Sequence, residues 1–70
     1  MSDKLLKGFG AHLKQLRLKR NLSQAELANK GNFDRNYIGM VERGERNPSL
    51  KNLARIAESL DIPLPELLKF

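Results

Sequence analysis

The 70-residue sequence predicts an all-α fold of five short helices, and three observations carry that reading. Apolar residues recur at three- and four-residue spacing along most of the chain. Residues of the helix-capping type, Ser23, Asp34 and Ser49, stand just ahead of three of those patterned stretches. No run of alternating β-branched residues offers a strand.

The first helix is expected over about residues 3–20. Leu5, Leu6, Phe9, Leu13 and Leu16 form one stripe, and Lys4, Lys7, Lys14, Lys19 and Arg20 lie mostly off it. Gly8 and Gly10 weaken this helix by about 1 kcal/mol each relative to alanine. Asn21-Leu22 breaks the pattern. Ser23-Gln24-Ala25-Glu26 has the form of a capping box, in which serine and glutamate each satisfy the other's backbone amide. A second helix follows over about residues 24–30, with Leu27 and Ala28 inward. Gly31-Asn32 tolerates positive φ and makes a tight turn, with Phe33 plugging the space beneath it.

Asp34 caps a third helix over about residues 35–43. Ile38 and Val41 face inward, Tyr37 sits at the margin, and Gly44 supplies the stop. After the loop Glu45-Arg46-Asn47-Pro48, Ser49 caps a fourth helix over about residues 50–60. Leu50, Leu53, Ala54, Ile56, Ala57 and Leu60 are expected to be mostly buried there. Asp61-Ile62-Pro63 turns the chain into a last helix over about residues 64–69, with Pro65 in its first turn.

Composition narrows the function. Seventy residues make one domain with little volume for a substrate pocket, so neither an enzyme nor a small-molecule substrate is expected. There is no cysteine, which removes disulfides, thiolate metal sites and cysteine nucleophiles. Ser23 and Ser49 have no basic partner placed to activate them. His12 has no Cys, Asp or Glu at ligand spacing, so neither metal nor cofactor is expected. No apolar run approaches the roughly 18 residues of a membrane span, and residues 1–4 show no leader pattern. The expectation is a soluble, cytoplasmic chain. The net charge is +5, and residues 1–46 carry ten basic and five acidic side chains against three of each in residues 47–70. That localised excess suggests a polyanionic partner: DNA, RNA or an anionic membrane.

Two helices, a short turn, and a second helix with a polar start form a helix-turn-helix, whose second helix enters the major groove of DNA. Here that helix begins Asp34-Arg35-Asn36-Tyr37. Arginine can donate two parallel hydrogen bonds to guanine, and asparagine pairs similarly with adenine. Arg35 and Asn36 are therefore candidate base readers. One turn on, Gly39 allows close approach and Met40 can pack on a thymine methyl or fill a gap in the core.

Leu22-Ser23-Gln24-Ala25-Glu26-Leu27-Ala28, Tyr37-Ile38, Val41-Glu42-Arg43-Gly44 and Arg46-Asn47-Pro48-Ser49-Leu50 together resemble the XRE/Cro/C1 family of helix-turn-helix regulators, over about residues 8–68. The resemblance implies a lambda-repressor-like fold and regulation of transcription through double-stranded DNA. It places Arg35, Asn36 and Met40 at base-reading positions, and Tyr37 against backbone or thymine. It places Gln24 on phosphate, together with Ser23, and Arg43, Arg46, Asn47 and Ser49 in a phosphate-gripping loop. Arg17 and Glu42 match a salt bridge between the first and third helices, and their positions beside Leu16 and Val41 fit a partly buried pair. Two positions depart from the family: Asn32 stands where glycine is usual, and Asp34 replaces a frequent serine or threonine.

One recognition helix reads few base pairs, so a symmetric homodimer is expected on a palindromic operator. The C-terminal residues Leu64, Leu67, Leu68 and Phe70 are the candidate dimer interface. The rival reading is a protein-interaction module such as an antitoxin or adaptor, with DNA binding secondary.

Overall fold

The structure, a computed structural model, describes residues 3–70. Its helices are α1 (Asp3–Lys19), α2 (Gln24–Gly31), α3 (Arg35–Glu42), α4 (Leu50–Ser59) and α5 (Leu64–Leu67), and no strand occurs among the described residues. The three expected caps start three of them. The Ser23 hydroxyl accepts from the Glu26 amide at 3.0 Å, and Glu26 Oε1 accepts from the Ser23 amide at 2.7 Å, closing the capping box. Asp34 Oδ1 accepts from the Asn36 amide at 2.7 Å, and the Ser49 hydroxyl accepts from the Asn52 amide at 3.1 Å.

The helix ends repeat one device. Asn21, Asn32, Gly44 and Asp61 all take positive φ immediately after α1, α2, α3 and α4 or one residue further on. After each of them the next amide reaches back to a carbonyl of the preceding helix: Leu22 to Arg17, Phe33 to Ala28, Glu45 to Met40 and Ile62 to Ala57. This is the Schellman arrangement, with asparagine or aspartate doing at three ends what glycine does at the fourth. Asn32 reaches φ 59°, so the turn between α2 and α3 forms without glycine at that position. The residue after each Asn or Asp (Leu22, Phe33, Ile62) is apolar and folds back onto the core.

Every helix contributes to that core. Leu13, Leu27, Ile38, Val41, Ile56, Leu60 and Leu67 are all essentially solvent-free. Three positions differ from the periodicity-based expectation. Leu5 is 47% exposed and Leu50 is 68% exposed, because each stands in the first turn of its helix, ahead of the stretch that packs. Ala54 is also exposed, at the rim of a shallow surface groove.

The expected dimer set also needs correction. Leu67 is fully buried, because α5 is barely one turn long and spends its inward position closing the base of the core with Leu60 and Ile62. It is closed to any partner. Leu64 is half-buried against the core, while Leu68 and Phe70 are 43% and 55% exposed.

Glycine sets how closely α1 meets the end of α3. A Cβ on Gly10 would lie 2.5 Å from the Val41 carbonyl oxygen and nearer still to that of Glu42. A Cβ on Gly44 would meet the Lys7 backbone at 2.9 Å. The residue that weakens α1 as an isolated helix is therefore what lets α3 dock on it.

Candidate nucleic-acid interface

A buried polar knot fixes α3 from behind. Arg17 Nε donates to Glu42 Oε2 at 2.6 Å, and Arg17 Nη2 and Gln24 Nε2 both donate to Glu42 Oε1 at 3.0 Å. The fourth bond runs from Arg17 Nη1 to the Leu22 carbonyl at 2.8 Å. The Arg17 and Glu42 side chains are only 8% and 3% exposed. Hydrogen bonding to Glu42 raises the Arg17 pKa above its ordinary value despite the cost of burial. Among the described residues no buried side-chain polar atom lacks a partner, so the knot is fully satisfied. Through it α1, α2 and α3 share one ion pair.

On the outer side of that knot, Ser23, Gln24, Arg35, Asn36, Gly39 and Arg43 surround a cleft of about 550 Å³. Arg35 and Asn36 are exposed in the first turn of α3, where the Asp34 cap fixes the start of the helix. Gly39 has no side chain to fill the floor: a Cβ there would approach Arg43 Nη1 at 3.2 Å and Gln24 Oε1 at 3.3 Å. Gln24 has one amide hydrogen committed inward to Glu42, which leaves the other for an outside acceptor. Ser23 and Ser49 accept from helix amides as caps, and each hydroxyl keeps its own proton for donation.

A second cluster continues the surface beyond the cleft. Met40 is half-exposed, and its sulfur accepts from Arg46 Nη1 at 3.8 Å. The Arg46 guanidinium lies 5.4 Å over the Tyr37 ring. Tyr37 stacks on Phe33 at 5.4 Å, with 17° between the rings. Arg43 has its fork engaged by Glu45, Nε to Oε2 at 3.0 Å and Nη2 to Oε1 at 3.2 Å, on an exposed surface. Those hydrogen bonds raise the Arg43 pKa and lower that of Glu45. Asn47 stands apart from both clusters, beside Pro48 at the edge of an apolar groove.

The sequence reading missed Asn52 and Arg55 of α4, which meet the back of this surface. Asn52 Nδ2 donates to the Tyr37 hydroxyl at 3.0 Å, and Arg55 Nη2 donates to the Gly31 and Asn32 carbonyls at 2.7 and 3.0 Å. In sequence they are ordinary polar residues one turn apart on a helix. His12 takes no part: its Nε2 lies 3.3 Å from the Glu66 carbonyl and its ring stacks with Phe70.

The helix-turn-helix family profile matches residues 13–67. The control protein C.BamHI from Bacillus amyloliquefaciens is 43% identical over 63 residues, 89% of this chain and 78% of that one. The restriction-modification controller protein C.AhdI from Aeromonas hydrophila superimposes with a TM-score of 0.87 at 47% identity, over 94% of this chain and 98% of that chain. The controller protein C.Esp1396I, solved as a tetramer on its natural 35-base-pair operator, superimposes with a TM-score of 0.82 at 36% identity, covering 91% and 88%. The chain belongs to the helix-turn-helix family, in its XRE/Cro/C1 branch. It is a DNA-binding transcriptional regulator of the controller and repressor kind, and the adaptor reading gains no support from these relatives.

Proposed function

We propose that this chain binds an operator in double-stranded DNA as a symmetric homodimer, each protomer laying the N-terminal turn of α3 in the major groove of one half-site. The observation that carries this is the cleft joining the starts of α2 and α3. There Arg35 and Asn36 are exposed side by side above a glycine floor, flanked by donors from Ser23, Gln24 and Arg43. Arg35 and Asn36 read base edges, Met40 contacts a thymine methyl, and Gly39 permits the approach. Gln24, Ser23, Tyr37, Arg43, Arg46 and Ser49 position the domain on the backbone.

Dimerisation follows from reach. The longest extent of the domain is 28 Å, whereas half-sites facing one side of the duplex are about 34 Å apart. The apolar groove lined by Leu5, Leu6, Phe9, Pro48, Leu68 and Phe70 is the surface we assign to the second copy. It takes over the role expected of Leu67, whereas Leu64 lines a separate groove with Ala54 and Ala57. No catalytic step is proposed, since Ser23 at the cleft and Ser49 at the start of α4 both serve as helix caps.

Selection of bound duplexes from a random-sequence pool tests this reading. A palindromic consensus with half-sites one helical turn apart is expected. Enrichment of a single short half-site, with one protomer per duplex, would overturn the dimer.

A further inference from the structure

We propose that Arg55 and Asn52 form a one-way hydrogen-bond relay that makes Tyr37 a hydrogen-bond donor toward DNA. The inference rests on the placement of Tyr37 at the DNA surface described above, and it adds which way the Tyr37 proton points and what sets it.

The direction follows from donor chemistry. Arginine donates and never accepts. Arg55 Nη1 lies 3.2 Å from one terminal atom of the Asn52 amide, so that atom is the carbonyl oxygen, Oδ1. The other terminal atom is then the amide nitrogen, Nδ2, and it points at the Tyr37 hydroxyl 3.0 Å away. The orientation of an asparagine amide is otherwise ambiguous, and here the arginine settles it. Asn52 Nδ2 can only donate, so the Tyr37 oxygen accepts. A phenol has a single proton. With its oxygen satisfied from within, that proton is left to leave the molecule, and an acceptor oxygen on DNA is the chemistry it fits.

The relay is anchored at both ends. The Arg55 guanidinium is held by the Gly31 and Asn32 carbonyls, which are left over at the end of α2, and it lies 4.2 Å over the Phe33 ring. Phe33 stacks on Tyr37, and the Arg46 guanidinium lies over the Tyr37 ring. The phenol ring is thus held by Phe33 and a guanidinium while its hydroxyl is oriented from α4. Hydrogen bonds in a chain polarise one another, so the cationic head of the relay strengthens Tyr37 as a donor. Asn52 and Arg55 are positioning residues, since neither needs to touch DNA.

Reversal of the relay tests it. In Asn52→Asp the carboxylate accepts from Arg55 and also from the Tyr37 hydroxyl, turning that proton inward. The measurement is the dissociation constant for a duplex carrying the selected consensus and for a random-sequence duplex of equal length. The variants are Tyr37→Phe, Asn52→Asp and the double substitution, with thermal melting of each. Tyr37→Phe is expected to weaken binding about tenfold to a hundredfold, the loss of one hydrogen bond to a charged acceptor. Asn52→Asp should weaken it at least as much, yet cost several-fold less when Tyr37 is already Phe, where only its added charge acts. Loss on both duplexes assigns the acceptor to a phosphate, and loss on the consensus alone assigns it to a base edge.

Full additivity of the two substitutions would overturn the relay while leaving Tyr37 at the interface. No effect of Tyr37→Phe on either duplex would overturn the placement of Tyr37 itself. Asn52→Leu, which leaves the proton undirected but not reversed, should lose less than Asn52→Asp. Equal or larger loss in the leucine variant contradicts the proposal; if the aspartate variant does not fold, full additivity of Asn52→Leu with Tyr37→Phe contradicts it instead.

Discussion

Two ion pairs leave the end of α3 from adjacent residues and have opposite fates. Glu42 points inward to Arg17, where both side chains are almost fully buried and every polar atom is satisfied. Arg43 points outward to Glu45, where both side chains are more than half exposed. The chemistry of the two pairs is the same, but the surrounding solvent differs. The buried pair costs desolvation that only complete bonding offsets, so it behaves as part of the scaffold. The exposed pair is screened and exchanges readily, so a phosphate can take its place. One turn of helix thus ties α3 to the core on one face and, under the proposed function, offers a guanidinium fork to phosphate on the other.

The largest effect should come from breaking the buried pair on one side only. Glu42→Ala leaves the Arg17 charge in the interior and should cost about 3–5 kcal/mol of unfolding free energy in a urea titration. Replacing both partners, Arg17→Met with Glu42→Leu, should recover most of that loss. A Glu42→Ala loss below about 1 kcal/mol would put this pair in the same class as the exposed one. Next in size is Gly10→Ala. Alanine favours the isolated helix, but its Cβ would strike the Val41 and Glu42 carbonyls. The expected outcome is a net loss of about 1–3 kcal/mol by the same titration. A gain in stability would show that the close docking of α1 on α3 is not needed.

The exposed pair should give the smallest effect on folding and a visible one on binding. Glu45→Gln should leave the melting midpoint unchanged and tighten binding to any duplex. It should also steepen the fall of log K with log salt by about 0.9, one phosphate contact no longer contested. A pH series sharpens this. Arg43 lowers the Glu45 pKa below the usual glutamate value. The contest is therefore complete above that usual value and is lost only as pH falls through the lowered one. Parent and variant should converge in acid and nowhere else.

How much of this was legible in the sequence depended on range. Caps act over three residues, so Ser23, Asp34 and Ser49 could be read directly, and with them the start of α3. Of the three Asn or Asp helix ends, Asn32 was legible as a positive-φ turn, while Asn21 and Asp61 were legible only as breaks, because a positive φ leaves no mark stronger than residue type. Burial at helix ends was not legible: Leu5, Leu50 and Leu67 share the apolar spacing, and only packing against other helices separates the exposed pair from the buried one. The Arg17–Glu42 pair was anticipated from family resemblance and from its neighbours in the core. Asn52 and Arg55 were invisible, since they act across 15 to 24 residues of chain on a tyrosine and a turn. Gly10 was legible only as a weakness of α1, because the close approach that requires it lies on α3.

Whether the first turn of α3 reads base edges is decided by Arg35→Ala. Dissociation constants are measured at one salt concentration for the selected consensus and for a random-sequence duplex. A base-reading Arg35 gives an additional loss of about 1–3 kcal/mol on the consensus alone, with discrimination relaxed at one base pair per half-site. Equal loss on both duplexes would reduce Arg35 to a phosphate contact and contradict that role.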